Sequence, residues 1–208
     1  MDSTFRGNGD FGPRHELDGL SPTSAISVRL ATRRQLADLV AIARREVPGI
    51  SLSEAGLGQF LGGDPESIFA FEQAEKLLGG IAFLYLNCRG HDALLLDDID
   101  LKNPSRELLA RPDEDVSAIY VWALACHGRA VLGLANVASY LRKPRFIGAD
   151  IFAQPSTTAG RDLLIAIGFR PISSFQPDLW SYQRPWNRFS SNMPASNVPA
   201  RSFADARY

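Results

Sequence analysis

An almost uninterrupted apolar run occupies residues 117–126 (SAIYVWALAC), and His127-Gly128 follows it directly. The run is too short to cross a bilayer, which takes ~20 residues, and it is typical of a buried strand. Residues 129–141 then predict a helix, Pro144 marks its exit, and residues 147–152 predict another strand. Because a strand, a helix and a strand in succession indicate a parallel strand pair, the chain is predicted to be an α/β protein.

The rest of the chain shows further strands and helices by hydrophobic period. Thr32 and Gln35 form a capping-box pattern that opens a first helix, and Ser51 and Glu54 form a second one. Residues 87–116 are predicted to be a long loop with a short helix near residues 105–110. The predicted order is β-α-α-β-β-β-α-β-α-β-β, with early strands at 26–30, 67–72 and 77–86, a late helix through 163–167 and a closing hairpin within 171–183. The short polar link at 73–76 predicts a hairpin between the second and third strands, and Gly79-Gly80 predicts a bulge or a close backbone approach.

The composition fits one ordinary globular domain. The 208 residues are 45% hydrophobic, and 22 Lys and Arg against 23 Asp and Glu give a net charge of −1. No general attraction to nucleic acid or to an anionic membrane is therefore expected. Two cysteines and three isolated histidines predict neither a disulfide framework nor a metal site. Residues 25–185 form the predicted domain, residues 1–24 and 186–208 are predicted to be disordered tails, and the lack of a signal-peptide pattern predicts a cytoplasmic location.

Two stretches carry a resemblance to a known family. Residues 120–126 (YVWALAC) form a strand that ends just before a glycine-containing turn, and residues 154–169 (QPSTTAGRDLLIAIGF) form a late helix that ends in Gly-Phe. With the element order over residues 26–184, they resemble the GNAT family of acyl-CoA-dependent N-acyltransferases. The resemblance implies a central mixed, mostly antiparallel sheet with one splayed parallel strand pair and helices on both faces. It also implies acetyl-CoA or another acyl-CoA as co-substrate, without a metal.

In that family the pantetheine arm lies between the splayed strands, and the diphosphate sits on N–H groups at the start of the next helix. The resemblance implies that the two strands separate near position 125. The family's phosphate loop has the pattern Arg or Gln, any two residues, Gly, any one residue, then Gly or Ala. Two alignments of this pattern with the present sequence stay open. One starts at His127 and puts Ala130 and Leu132 at the small positions, whereas the other starts four residues later and puts Leu134 and Asn136 there. The predicted coenzyme-binding residues are Leu124, Ala125, Cys126, Gly128, Arg129, Ala130, Val131, Leu132, Gly133, Leu134, Asn136 and Thr157.

The groups that transfer protons depart from the family pattern. The strand carries no carboxylate, and Leu164 occupies the position where the family often has a tyrosine. Glu72 ends a strand beside the expected acceptor groove and is the candidate base, and Tyr120 is the candidate proton donor. Trp122 falls on the same strand face as Tyr120 and is predicted to line the acceptor pocket. Each of these also fits an ordinary structural role, and the alternative bases on the long loop are Asp97, Asp98 and Asp100.

The resemblance implies an acyl-CoA-dependent N-acyltransferase. It would transfer an acetyl group to a primary amine by direct attack, and the acceptor would be a small-molecule amine or a protein amine. The backbone N–H near Leu124 would polarise the thioester carbonyl. The alternative is a GNAT-like binding or regulatory module without catalysis, favoured by the missing tyrosine, the missing acid and the altered loop. The oligomeric state is left open.

Overall fold

The computed structural model describes residues 25–47 and 52–183. Both predicted tails, 1–24 and 186–208, lie outside the described residues. The sheet has seven strands in the order β1-β2-β3-β4-β5-β7-β6. These strands are β1 (Ser27–Leu30), β2 (Ile68–Gln73), β3 (Lys76–Leu86), β4 (Ala118–Cys126), β5 (Asp150–Ala153), β6 (Phe169–Pro171) and β7 (Trp180–Tyr182).

The pairing of these strands is antiparallel everywhere except between β4 and β5, which run parallel. The prediction of a mixed, mostly antiparallel sheet with one parallel pair is confirmed. The parallel pair arises because helical segments lie between β4 and β5 in the chain, whereas a tight turn joins β2 to β3.

Helices cover both faces of the sheet, as predicted. They are α1 (Leu36–Glu46), α2 (Glu54–Gly63), α3 (Cys88–Leu95), α4 (Leu134–Tyr140), α5 (Pro144–Ile147) and α6 (Thr158–Ile167). On one face, α1 and α2 pack in a hydrophobic cluster with Ala70, Ala82 and Ala125 of the sheet. On the other, α4 and α5 pack in a cluster with Phe69 and Phe71. Within residues 25–47 and 52–183, none of these helices combines the length and apolarity that crossing a bilayer requires.

Side-chain caps fix the starts of the first two helical segments. The backbone N–H of Thr32 donates to Oε1 of Gln35 at 2.9 Å, in agreement with the first predicted capping box. The second helix begins later than predicted, because Oγ of Ser53 accepts from the N–H of Gly56 at 3.0 Å. Ser51, the predicted cap, lies outside the described residues.

The predicted hairpin is present between β2 and β3. Ala74 and Glu75 form its turn with φ angles of 47° and 64°, as a tight turn between twisted strands requires. The neighbouring Gly79 and Gly80 allow close strand contact. A Cβ on Gly79 would lie 2.3 Å from a carbonyl oxygen of β4, and one on Gly80 would lie 2.6 Å from a carbonyl oxygen of β2. The close backbone approach predicted for this glycine pair is confirmed.

The helix α3 stands where the sequence predicted a turn and a loop. Oδ1 of Asn87 caps it by accepting from the N–H of Gly90 at 3.0 Å. Ala93 and Leu94 are buried against the ends of β3 and β4. A Cβ on Gly90 would lie 2.1 Å from the carbonyl oxygen of Leu108, so this position has room for glycine alone. Contacts with the sheet and with the segment 106–108 therefore stabilise a helix that would be too short to form alone.

The segment after β4 also differs from the predicted continuous helix. Gly128–Gly133 form a 3-10 helix, and α4 begins only at Leu134. Pro144, which was expected to mark the helix exit, instead occupies the first turn of α5. Proline suits that position because its fixed φ is helical. The N–H group that proline lacks would have no hydrogen-bond partner within the helix at this position.

A network of charged side chains ties the segment before β2 to α5. Nη2 of Arg145 donates to Oδ2 of Asp64 at 2.6 Å, and Nη1 donates to Oε2 of Glu66 at 3.2 Å. The side chains of Arg145 and Asp64 are only 14% and 10% exposed. Nζ of Lys143 lies 3.3 Å from Oε1 of Glu66, and the hydroxyl of Tyr140 donates to the same oxygen. One guanidinium thus pairs with two acids, and solvent hardly reaches its pair with Asp64, whereas the Glu66 side chain is 30% exposed.

Candidate active site

The parallel strands β4 and β5 separate beyond Val121 and Ala153, the last pair that they form. Residues 122–126 of β4 continue past this point and stay paired with β3 alone. Except for Ala125, the residues of this stretch are only part-buried. The predicted splayed pair is therefore present, and it opens a gap along one edge of β4. The opening begins at Trp122, a few residues earlier than position 125, where the sequence suggested it.

A β-bulge at Trp122 sets the direction of the backbone along the gap. The pairing with β3 shifts there, since Val121 faces Phe83 whereas Ala123 faces Ala82. Beyond the bulge, the N–H of His127 donates to the carbonyl of Leu78 on the β3 side at 2.9 Å. Successive N–H groups along a strand point to opposite edges. The N–H groups of Leu124 and Cys126 therefore point away from β3, into the gap.

The turn that follows β4 offers fewer free amides than a regular α-helix start. Its first hydrogen bond runs from the N–H of Ala130 to the carbonyl of His127 at 3.2 Å. The N–H groups of Gly128 and Arg129 precede this bond and so lie before the hydrogen-bonded part of the helix. Gly128 has a φ of +55°, and a Cβ there would meet no atom within 4 Å. Glycine is therefore favoured at this position by the left-handed backbone conformation of the turn and not by a lack of space for a side chain.

The predicted coenzyme-binding residues of this segment divide between surface and core. Ala130 is fully buried, and a Cβ on Gly133 would lie 3.0 Å from Val28 and 3.1 Å from Phe71. Both are small because they pack on the sheet. Leu132 is 57% exposed, so most of its side chain is in contact with solvent. Gly128, Arg129 and Asn136 are exposed, whereas Val131 and Leu134 are part-buried.

Tyr120 lies beside the point where the strands separate. Its hydroxyl donates to Oε1 of Gln154 at 2.6 Å, and Nε2 of Gln154 donates to the carbonyl of Pro177 at 2.6 Å. Burial raises the pKa of the Tyr120 phenol, so the phenol stays protonated at neutral pH. Gln154, the first residue after β5, was not predicted to belong to the site. Gln154 directly follows β5, the parallel partner of β4, and this position was the sequence signal that could have assigned it to the site.

Trp122 shares the face of Tyr120, as predicted, because both pack in one hydrophobic cluster. Its indole Nε1 donates to the carbonyl of Leu101 at 2.6 Å. Its ring contacts Phe60 of α2 edge-on, with a centroid distance of 4.4 Å. Trp122 therefore joins β4 to α2 and to the loop after α3, beside the gap.

The other predicted site residues lie apart from the gap or serve structural roles. Glu72 is on β2, separated from β4 by β3 and hence by about 10 Å. Its carboxylate accepts from Nε2 of Gln35 at 2.7 Å. Oγ1 of Thr157 caps α6 by accepting from the N–H of Gly160 at 3.0 Å. The three acids of the loop after α3 are exposed, namely Asp97, Asp98 and Asp100.

A second residue that sequence reasoning missed is Glu46, at the end of α1. Oε1 of Glu46 lies 3.4 Å from Nδ1 of His127, just beyond the end of β4. A hydrogen bond from Arg45, together with the proximity of His127, holds the pKa of Glu46 below its ordinary value. Glu46 and His127 are distant in sequence, so only the fold brings them together.

A concavity of the described surface lies at the opposite end of the sheet. This cleft of about 430 Å³ is polar and is lined by Asn87, Arg106, Glu107, Leu109, Arg111, Asp113 and Glu114. Within the described ranges, no three His, Cys, Asp or Glu side chains stand close enough together to hold a metal ion.

The two cysteines are expected to react with iodoacetamide at different rates. Cys88 is exposed, whereas Cys126 is part-buried at the gap. Burial, helped by the charge of Glu46, raises the pKa of the Cys126 thiol. Since the thiolate is the reactive form, Cys88 should be alkylated at least ~10-fold faster at pH 8. Peptide mass spectrometry over time measures both rates, and equal rates would contradict the placement of Cys126.

Comparison with known proteins identifies the fold. No protein-family model matches the sequence, and no curated protein matches it significantly. The loading GNATL domain of CurA from Lyngbya majuscula is 14% identical with a TM-score of 0.56, over 76% of this chain and 98% of that chain. The GNAT-like decarboxylase GphF, in complex with isobutyryl-CoA, is 12% identical with a TM-score of 0.53, over 74% and 96%. These likenesses confirm that the chain has a GNAT-like fold.

Proposed function

We propose that the chain binds an acyl-CoA along the free edge of β4 and transfers its acyl group to an amine. The observation that carries this proposal is the length of β4, which runs through residues 122–126 beyond its last pair with β5. Backbone groups on such an edge need partners. An extended ligand with amide groups can supply them as an added strand does, and the pantetheine arm of coenzyme A is such a ligand.

The proposed binding mode uses the gap and the turn after it. The pantetheine amides would pair with the gap-facing backbone of Leu124 and Cys126. The diphosphate would then reach the exposed start of the 3-10 helix, near Gly128 and Arg129. Arg129 supplies positive charge there, which matters because this short 3-10 helix concentrates less positive potential than a regular α-helix. Acetyl-CoA is the donor that we propose, and the GNAT-like fold shared with GphF, which was solved in complex with isobutyryl-CoA, supports an acyl-CoA as the ligand.

The proposed reaction is direct attack of a neutral amine on the thioester carbonyl. The gap-facing N–H of Leu124 would stabilise the negative charge that develops on the carbonyl oxygen. A C–N bond forms, the C–S bond breaks, the amine loses a proton and the departing thiolate gains one. Tyr120 is the proposed proton donor because it lies beside the point where β4 and β5 separate. Burial raises the pKa of its phenol, which makes it a weaker acid than a free tyrosine. Two strands separate Glu72 from the gap, so it would accept the amine proton only through water.

Thermal unfolding with added ligands tests the binding step. Acetyl-CoA should raise the unfolding temperature, because a ligand that binds only the folded state stabilises it by mass action. ADP, which lacks the pantetheine arm, should raise it much less. Release of CoA with a panel of amines, measured by chromatography, tests the transfer. Chromatography is preferred to a thiol reagent because Cys88 is exposed and would react with it. No shift with any acyl-CoA would remove the proposal.

A binding or regulatory module without catalysis is the second candidate, and specific contacts favour it. The carboxylate of Glu72 is bonded to Gln35, and the hydroxyl of Tyr120 is bonded to Gln154. Both predicted proton-transfer groups are thus engaged elsewhere. A thermal shift specific to the thioester, without CoA release for any amine, would select this candidate over the transferase.

A further inference from the structure

We propose that the polar cleft at the end of the sheet remote from the gap is a second binding site, and that it takes a small dicarboxylic amino acid. The volume of the cleft is about 430 Å³, within the range of about 300–1,000 Å³ that is usual for small-molecule sites. Asn87, which directly follows β3, lines the cleft. Because Leu86 pairs with Ala118, about six residues of β4, or about 20 Å, separate this end of the sheet from Leu124. The inference therefore goes beyond the proposed function and does not depend on it.

Hydrogen bonds to the backbone hold the two walls of the cleft in place. Nδ2 of Asn87 donates to the carbonyl of Glu107 at 2.8 Å, which fixes the wall formed by residues 106–109. The guanidinium of Arg145 donates to the carbonyls of Arg111 at 3.0 Å and Glu114 at 3.2 Å, which fixes the wall formed by residues 111–114. The cleft is therefore formed before a ligand arrives, so binding need not order the backbone.

The charged side chains of the cleft divide into those with a partner and those without. The carboxylate of Glu114 accepts from the N–H of Arg111 at 3.1 Å, and the carboxylate of Glu107 lies 3.9 Å from the guanidinium of Arg89. Three other charged groups make no hydrogen bond or ion pair with any residue that the structure describes, namely the guanidinium groups of Arg106 and Arg111 and the carboxylate of Asp113. Opposite charges thus share one cleft without pairing with each other.

The unpaired charges define the chemistry of the ligand. One guanidinium comes from each wall, and a guanidinium binds a carboxylate through a fork of parallel N–H donors. The carboxylate of Asp113 matches one ammonium group. A small molecule with two carboxylates and one ammonium group is a dicarboxylic amino acid. A dicarboxylate without the ammonium group would leave Asp113 unpaired beside a like charge, and an amino acid with one carboxylate would leave one guanidinium unpaired.

NMR titration of the isotope-labelled full chain at low ionic strength tests the inference, since salt screens exposed charges. The probes are L-glutamate, L-glutamine and glutarate, which have carbon chains of equal length and differ in charge. L-Glutamate should bind with a Kd of about 1 mM or tighter, and at least ~10-fold tighter than either analogue. The shifted amide signals should belong to the two walls, 106–109 and 111–114. Equal binding of the three probes, no binding of L-glutamate, or shifts confined to another part of the chain would each overturn the inference.

Variants of the three unpaired side chains test the role of each charge. Arg106→Gln and Arg111→Gln should each remove the preference for L-glutamate over L-glutamine, and Asp113→Asn should remove the preference for L-glutamate over glutarate. All three side chains are exposed, so the substitutions should leave the fold intact. The matched control is Arg170→Gln, at an exposed arginine of the edge strand β6, which should keep the wild-type order of probes.

The wild-type order of probes in all three cleft variants would show that these charges do not hold the ligand and would overturn the inference. The thermal shift with acetyl-CoA is a separate measurement on the same chain. Its absence would remove the proposed function and leave the cleft as a binding site, whereas failure of L-glutamate to bind would remove the cleft site and leave the proposed function standing.

Discussion

Leu124→Pro is expected to abolish acyl-CoA binding, with a loss of affinity of at least ~10-fold and no thermal shift with acetyl-CoA. The N–H of Leu124 points into the gap, away from β3. Proline removes that donor without removing a hydrogen bond from the ladder between β3 and β4, the condition under which strands tolerate proline. The ring also narrows the edge on which the pantetheine arm would lie. Titration calorimetry and thermal unfolding measure both effects.

Leu124→Ala is the control for this variant. It removes the same packing against the cluster around Phe69 and Phe71 but keeps the backbone N–H. Both variants should lose some stability, whereas only the proline variant should lose the ligand. If the two variants bind acetyl-CoA equally well, this N–H has no part in binding, and the proposed position of the thioester is wrong.

Arg145→Met is expected to lower the free energy of unfolding by about 3–5 kcal/mol, the usual cost of removing one partner from a buried ion pair. Methionine keeps much of the packing volume of the side chain but leaves Asp64 and Glu66 without their shared cation. It also removes donors to the carbonyls of Arg111 and Glu114. Urea unfolding of the variant and the wild type measures the loss.

Lys143→Met is the matched control, because it removes a cation from the same Glu66 carboxylate. The side chain of Lys143 is 48% exposed, so its loss should cost about 1 kcal/mol or less. Equal losses in the two variants would show that the network contributes no more than a surface pair.

The same network predicts a loss of stability in acid. Burial acts to raise the pKa of Glu66, but hydrogen bonds from Tyr140, Lys143 and Arg145 hold it below its ordinary value of 4.5. A lowered pKa means that this stabilisation is present above pH 4.5 and is lost as the pH falls through the folded-state value. The Arg145→Met variant should show a weaker dependence on pH over that range.

The sequence predicted those parts of the fold that local pattern determines. The apolar strand β4, the hairpin of β2 and β3, and the first capping box all follow from period and turn chemistry within a few residues. The helix α3 was missed because Gly90 lowers the helical preference of a segment that otherwise contains good helix formers such as Ala93 and Leu94. Glycine is needed there because the helix passes close to Leu108, a contact that the sequence does not show.

The candidate site was predictable as a region but not as a set of contacts. The end of β4 and the turn at Gly128 were found because a strand followed by a glycine turn is a local signal. The bonds of Tyr120 to Gln154 and of Glu46 to His127 join residues far apart in the chain. Only the folded sheet makes them neighbours, so no pattern along the sequence could reveal them.

The extra residue at Trp122 reverses the order in which successive side chains of β4 alternate between the two faces of the sheet. Before it, Ala118 and Tyr120 face the same side as α3, and after it, Ala123 and Ala125 take over that side. An ungapped comparison with a strand that lacks this insertion would therefore assign every residue after it to the opposite side of the sheet.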